Sequence, residues 1–366
     1  MRAHVLLGIT LGWALCSSAH AVTCSPEDEV TFHAASLRIE NDLFINTDRD
    51  YTSGVSVALV SRDISGPLRS HCLPLWADGH ARLIEWVDAD FWAEDGRLNT
   101  RQNIVLRLGQ QMYTPRDPHR SDLIVEDRPY AGLLMSSLAW NRRWVDPLAG
   151  VQVLDTREIG LGVMGPASMA KASQNAIHNL IGSPQFQGWH HQLKNEPAVL
   201  VAAERKVRSD LGGARLGWSS DMIWGYGLRL GNVETSTVGS IEGRFGWNLP
   251  NDFGTYPIRP GADNRPPLRP LSLDRASPWG LHGFALLETK LVAWDFSLDG
   301  NLFHSSHSVQ KRIGIAQFAV GLSLQTRLAD QGFKLAIMRV FKTPEFKGQV
   351  GRHGYISLLA SLEWDP

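Results

Sequence analysis

In the segment WGYGLRLG, Trp224, Tyr226, Leu228 and Leu230 fall on one side of an extended chain, while Gly225, Gly227, Arg229 and Gly231 fall on the other. Successive strand side chains point to opposite faces, so this reads as a strand with one apolar, aromatic face and one face of charge and glycine. The pattern recurs. In IEGRFGWN, Ile241, Phe245 and Trp247 oppose Glu242, Arg244 and Asn248. In VAWDFSLDGNLF, Trp294, Phe296 and Leu298 oppose Asp295, Ser297 and Asp299, and in FAVGLSLQTRL, Phe318, Val320, Leu322 and Leu324 oppose Gly321, Ser323, Gln325 and Arg327. A soluble β-sandwich alternates too, with its apolar face in a core; an outer-membrane barrel turns that face to lipid and keeps a polar interior. Runs of about ten residues with Trp and Tyr near their ends favour the barrel. No downstream segment approaches the roughly 18 apolar residues of a transmembrane helix, so a membrane location requires strands. The expected fold is all-β, a transmembrane antiparallel β-barrel of about 12 strands between Leu37 and Trp364.

The N-terminal MRAHVLLGITLGWALCSSAHA places Arg2 before an apolar run and ends on Ala19-His20-Ala21, a small-x-small pattern. This reads as a secretory signal peptide over residues 1–21, cleaved near Ala21, with residues 22–366 forming the barrel as one domain. A formal net charge of −1 supplies no electrostatic case for nucleic acid as a partner. Cys16 leaves with the leader; Cys24 and Cys72 could pair in an oxidising compartment, and no CxxC or Cys/His cluster suggests zinc. A monomer in the outer membrane, among its lipids, is the working expectation. Residues from Arg62 to Arg101 are not strand-like and suggest a long loop or small helical insertion, whereas the Pro-, Asp- and Arg-rich stretch from Asn251 to Pro278 fits an extracellular loop.

One segment breaks the β pattern. GVMGPASMAKASQNAIHNLIG leaves a strand at Gly165, turns at Pro166 with Ser168 as N-cap, and stops at Gly182 before Ser183-Pro184, which predicts a short inserted helix. Gln174, Asn175 and His178, three and four residues apart, share one face beside an apolar stripe of Ile177 and Ile181. The chain has 13 histidines, any one of which is more often a packing residue, and position on an inserted helix beside amides is what raises His178. A second cluster, RIENDLFINTDRDYTSGVSV, gathers Glu40, Asp42, Asp48, Asp50 and Thr52, oxygen donors of the kind a hard cation takes, though a strand and polar turn explain the same letters. Asn41 and Asp42 would face opposite sides of a regular strand, so both can serve one site only if the backbone bulges or turns there. In YTPRDPHRSDLIVEDRPYAGLL, Asp127-Arg128-Pro129-Tyr130 suggests either an ion pair and turn that fix strand register or a functional element. No G-x-S-x-G elbow, P-loop or dinucleotide fingerprint is present, so a histidine near oxygen ligands points to hydrolysis by activated water.

Four ordered motifs carry a resemblance: ENDLF with TDRDYTSG (Glu40 to Gly54), YTP with DRPYAG (Tyr113 to Gly132), GVMGPAS with QNAIHNLIG (Gly162 to Gly182), and GWHHQLKNEP (Gly188 to Pro197). Together they resemble the lipid A 3′-O-deacylase family over the first half of the mature chain. The resemblance implies a twelve-stranded outer-membrane barrel that is calcium-dependent, with its site near the outer leaflet. It implies His178 as general base, Asp42 as principal calcium ligand, Asn41 and Thr52 as neighbours, and Gln174 as support for the histidine. The implied reaction is hydrolysis of the ester holding the 3′ acyloxyacyl group on lipid A, the lipopolysaccharide anchor. A lysine expected between YTP and DR is absent; Arg116, His119 and Arg120 stand there instead, and an arginine could bind a lipid A phosphate through its bidentate fork. A phospholipase-type esterase and a non-enzymatic channel are the competing readings.

Overall fold

The computed structural model describes residues 30–42, 50–65, 72–215, 217–259, 279–328, 331–351 and 353–364. The expected leader and Cys24 lie outside the described residues; Cys72 is disulfide-bonded. In chain order the strands are β1 Phe32–Asn41, β2 Asp50–Ser61, β3 Ile64–Ser65, β4 Leu98–Thr114, β5 Ala131–Asp146, β6 Val151–Met164, β7 Glu196–Arg215, β8 Trp218–Gly231, β9 Glu234–Trp247, β10 Trp279–Asp295, β11 Gly314–Leu328, β12 Gln331–Lys342 and β13 His353–Trp364. Helices are α1 Leu75–Val87, α2 Ala170–Ile181 and α3 Phe296–Asp299.

Each long strand pairs antiparallel with its neighbour, β1 pairs with β13 (Leu37 opposite Ala360), and β2 pairs with β4 (Val57 opposite Leu108). That closes a ring of twelve long strands, as expected, with the two-residue β3 a spur on β4. Closure removes the unpaired edges that a membrane would not tolerate. No described helix is long and apolar enough to cross a membrane.

The inverted polarity holds. Trp224, Tyr226, Leu228, Phe318, Val320 and Leu322 are exposed on the outer wall, whereas Arg229, Glu242 and Arg244 are buried inside. The lumen is filled by paired charges: Arg107 with Glu158, Arg259 with Glu204 (2.6 Å) and Glu288 (3.0 Å), Arg208 with Asp221 (2.7 Å), and Arg244 with Asp221 (2.6 Å). Buried charges are tolerable only when paired in this way.

Two sequence expectations fail. The alternation read through VAWDFSLDGNLF stops at Asp295, whose side chain accepts a hydrogen bond from Ser297 N (2.9 Å) and caps the helical turn α3. The stretch from Asn251 does not form an extracellular loop in its described part, residues 251–259. It leaves β9 at the rim remote from α2 and turns into the lumen, where Asp252 pairs with Arg244 and with Lys334 (2.6 Å), Ile258 N donates to Glu40 (2.7 Å), and Arg259 O accepts from Arg107 (2.7 Å). The insertion expected between Arg62 and Arg101 contains α1 and a 3-10 turn, Ala89–Trp92.

Candidate active site

The segment between β6 and β7 builds the helix the sequence predicts, with one change at its start. Gly165 adopts φ +83°, where a Cβ would lie 2.5 Å from the Lys194 carbonyl, so glycine lets the chain turn tightly against that strand entry. Ser168 is not the N-cap: its hydroxyl donates to Gly165 O (2.6 Å) within a 3-10 turn, and Met169, in the left-handed conformation, precedes the helix. Gly182 closes α2 at φ +71°, its N–H returning to His178 O.

Alternation along β4 locates the helix. Gln111 and Tyr113 line a lumenal cavity with Tyr51, so Gln110, Met112 and Thr114 face outward. Gln110 donates to Ser168 O (2.6 Å), and Met112 packs with Ala170, Tyr130, Phe186 and Trp189. Helix α2 therefore lies on the outer wall of the barrel, seated over Gly132, where a Cβ would come within 2.2 Å of Ser168 Oγ and 2.5 Å of Ala170 Cβ. Its buried residues are Ala170, Gln174 and His178, one every four positions.

Both polar groups are oriented from the following segment. His178 Nδ1 lies 2.6 Å from Pro184 O; a carbonyl only accepts, so Nδ1 is the donor, and the tautomer this selects carries its lone pair on Nε2. Phe186 packs edge-on to the imidazole at 6.0 Å between centroids. Trp189 Nε1 donates to Gln174 Oε1 (2.6 Å), which turns the Gln174 amide N–H₂ the other way, buried and without a partner among the described residues. Gln174 is thus held by Trp189.

At the same rim, β1 ends at Asn41 and Asp42 lies in a bend, its N–H reaching Thr52 O (3.3 Å). The β2–β4 register shifts between Tyr51 and Ser53, leaving Thr52 as the extra residue of a bulge, where its hydroxyl meets Thr114 Oγ1 (2.6 Å). The chain bends at Asp42, directly after Asn41, and the bulge lies on the neighbouring strand at Thr52. Asn41, Asp42 and Thr52 are all buried. Glu40 points into the lumen instead, accepting from Tyr51 (2.7 Å) and Ile258, and so leaves the set of candidate ligands. Asp48 and the Asp50 side chain lie outside what is described. Among the described residues no three His, Cys, Asp or Glu side chains gather as a metal cluster. Among the described residues, Asp42 offers a carboxylate there, Asn41 an amide oxygen, and Thr52 and Thr114 hydroxyls. That oxygen-only set suits a hard cation completed by water.

Arg116 and Arg120 sit on the loop between β4 and β5, which is tied to the segment after α2 by Gln187 N donating to Pro118 O (2.9 Å). Arg120 is engaged by Asp122 (2.5 Å) and Glu126 (3.3 Å); Arg116 is exposed, and its backbone N–H donates to Asp127 (2.9 Å). Of the two readings of DRPY, the local ion pair is replaced by a distant one. Arg128 pairs with Glu345 (2.6 Å) and lies over the Tyr113 and Phe346 rings, while Asp127 accepts from the Arg116 and Arg128 amides. Burial raises the Glu345 carboxyl, but Lys342 and Arg128 outweigh it and hold it at about 2. The sequence missed Trp189, Thr114 and the Pro184 carbonyl as orienting groups; GWHH marked the first only as a motif.

The closed twelve-stranded barrel can be set beside known proteins. The family model described as "Outer membrane protein LpxR" matches residues 7–364, nearly the whole chain. The chain belongs to the LpxR family of outer-membrane proteins. Among solved structures, LpxR from Salmonella typhimurium superposes with a TM-score of 0.64 at 16% identity, covering 90% of this chain and 100% of that one. The β-domain of the Bordetella autotransporter BrkA aligns at 8% identity over 92% of this chain and 99% of its own, with a TM-score of 0.46. No curated protein sequence matches.

Proposed function

We propose that this family member is a calcium-dependent lipid A deacylase that hydrolyses the ester bearing the 3′ acyloxyacyl group, at the outer leaflet. The observation that carries the reading is His178, buried on α2 with Nδ1–H fixed on Pro184 O, so that Nε2 is the basic nitrogen. A passive pore has no use for such a group, and the lumen beneath is packed with paired charges and residues 251–259.

In this reading His178 Nε2 removes a proton from water as the water attacks the ester carbonyl, and the imidazolium returns it to the leaving sugar 3′-oxygen. The products are the free fatty acid and the 3′-hydroxyl. Gln174 Nε2, a buried donor oriented by Trp189, is available to the developing oxyanion. Asp42 would hold calcium with neutral oxygens from Asn41 and Thr52; when bound, the ion would supply charge stabilisation to that oxyanion. Arg116 is better placed than Arg120 to meet a lipid A phosphate, because two carboxylates already occupy Arg120.

The test is mass spectrometry of lipid A from cells expressing the wild type or His178→Ala, with isolated membranes given calcium or chelator. Loss of the 3′ acyloxyacyl mass only with wild type and calcium is expected. Unchanged lipid A throughout, with fatty acid released from vesicles of phospholipid alone, would transfer the same machinery to a phospholipase.

A further inference from the structure

We infer that α1 is a membrane-docking helix: it lies along the outer wall at the rim opposite α2 and sets Leu75, Trp76, Leu83, Trp86 and Val87 into the lipid leaflet there. The wall side follows from strand parity. Val105 and Arg107 line a lumenal cavity with Glu158, so Ile104, Gln102 and their partners across β5, Trp140 and Arg142, face outward. Ile104 and Trp140 pack against Ala77, Ile84 and Phe91, which places α1 and its 3-10 turn outside the barrel. Two outward arginines pin them. Arg142 donates to Phe91 O and pairs with Glu94, its guanidinium over the Phe91 and Trp92 rings. Arg157 pairs with Asp88 (2.6 Å) and stacks over Phe91 at 4.9 Å.

The partner follows from how the rest of the helix is divided. At about 100° per residue, its side chains fall into three sectors. Ala77, His80 and Ile84 point at the wall and are buried. Asp78, Arg82 and Glu85 form a polar sector, closed by an Asp78–Arg82 pair at 2.8 Å. Between them, Leu75 and Trp86 are 90% and 84% exposed, with Trp76, Leu83 and Val87 also open. Wall, water and a third, apolar direction are what a helix lying in the corner between a barrel and a bilayer surface requires. The outer wall beyond α1 is apolar as well: Leu108, four residues along β4 from Ile104 on the same outward face, is exposed. Depth agrees: Met112, under α2, and Ile104, under α1, are eight residues apart, about 26 Å along a strand and about 20 Å along the normal after a tilt near 40°. The two helices therefore bracket most of the roughly 25 Å apolar band of such barrels. Tryptophans at one edge of that band prefer the headgroup boundary.

The test is spin labelling of the oxidised protein at Leu83→Cys, Trp86→Cys and, in the polar sector, Arg82→Cys, each in phosphatidylethanolamine/phosphatidylglycerol vesicles after heat-modifiable mobility confirms a closed barrel. Labels at 83 and 86 are expected to be several-fold more accessible to oxygen than to an aqueous nickel chelate, with the ratio inverted at 82. Equal nickel access at all three positions would overturn the inference. Dipolar broadening between labels at 83 in separate copies would overturn it as well, by giving the face to a second chain. The readout is independent of turnover, so an inactive protein with the expected pattern would defeat only the deacylase reading.

Discussion

Helices α1 and α2 sit on the same two strands, β4 and β5, at opposite rims, and each turns a histidine toward the wall. What separates them is the company that histidine keeps. His80 lies between Ala77 and Ile84, its ring edge-on to Trp140 at 6.4 Å, and burial lowers its pKa to about 4. His178 follows Gln174 on the buried face, and the segment after α2 supplies a carbonyl for one ring nitrogen and an indole N–H for the glutamine. The first helix and its turn are attached through apolar, stacked and ion-pair contacts; the second carries a histidine and a glutamine amide whose orientations are set by hydrogen bonds. A buried histidine becomes informative only when its hydrogen bonds specify a tautomer.

The largest expected difference is in turnover. His178→Ala should lower ester hydrolysis by about 10²- to 10⁴-fold with the barrel folded, whereas His80→Ala should leave kcat near wild type; equal losses in a lipid A assay would erase the distinction. Acid should reveal the other histidine. Because the folded-state pKa of His80 lies below its ordinary 6.5, its stabilising contribution is complete above pH 6.5 and is lost as pH falls toward 4. That loss amounts to roughly 3 kcal/mol, and His80→Leu should flatten this part of a stability–pH curve measured by denaturant unfolding.

Smaller changes test the seating of each helix. Gly132→Ala would drive a methyl against Ser168 and Ala170, shifting α2 from the wall, so activity should drop about tenfold or more for about 1–3 kcal/mol of overpacking. Trp189→Phe removes the donor to Gln174 Oε1 and should lower kcat about tenfold, at about 1–3 kcal/mol for the unsatisfied amide; an unchanged kcat would show that the amide's orientation does not matter. The smallest effect belongs to α1: Gly79 is helical with nothing within 4 Å of an added Cβ, and Gly79→Ala should stabilise by about 0.5–1 kcal/mol in thermal unfolding.

The two regions also differ in how much the sequence reveals. Strands such as Trp218–Gly231 and α2 with its closing glycine are legible because the signal is local: a period of two, or a stop residue beside a helical run. The sequence posed a bulge or turn at Asn41 and Asp42 as a condition; the chain bends at Asp42, and the bulge at Thr52 on the neighbouring strand depends on strand register, which no single strand encodes. Arg128 finds Glu345 from 217 positions away, and residues 251–259 find Glu40 and Arg107, so composition alone suggested an exposed loop where the chain fills the lumen. The docking of α1 was hidden for the same reason, since it depends on which parity of β4 faces outward.

The filled lumen bears on the cell as well as on the fold. If the proposed deacylase reading holds, the chemistry is mounted outside the cylinder and needs no passage through it, and here Arg244, Asp252, Lys334 and Asp221 knit the interior together. On that reading, making more of this protein should add lipid-modifying capacity without opening the envelope to small solutes.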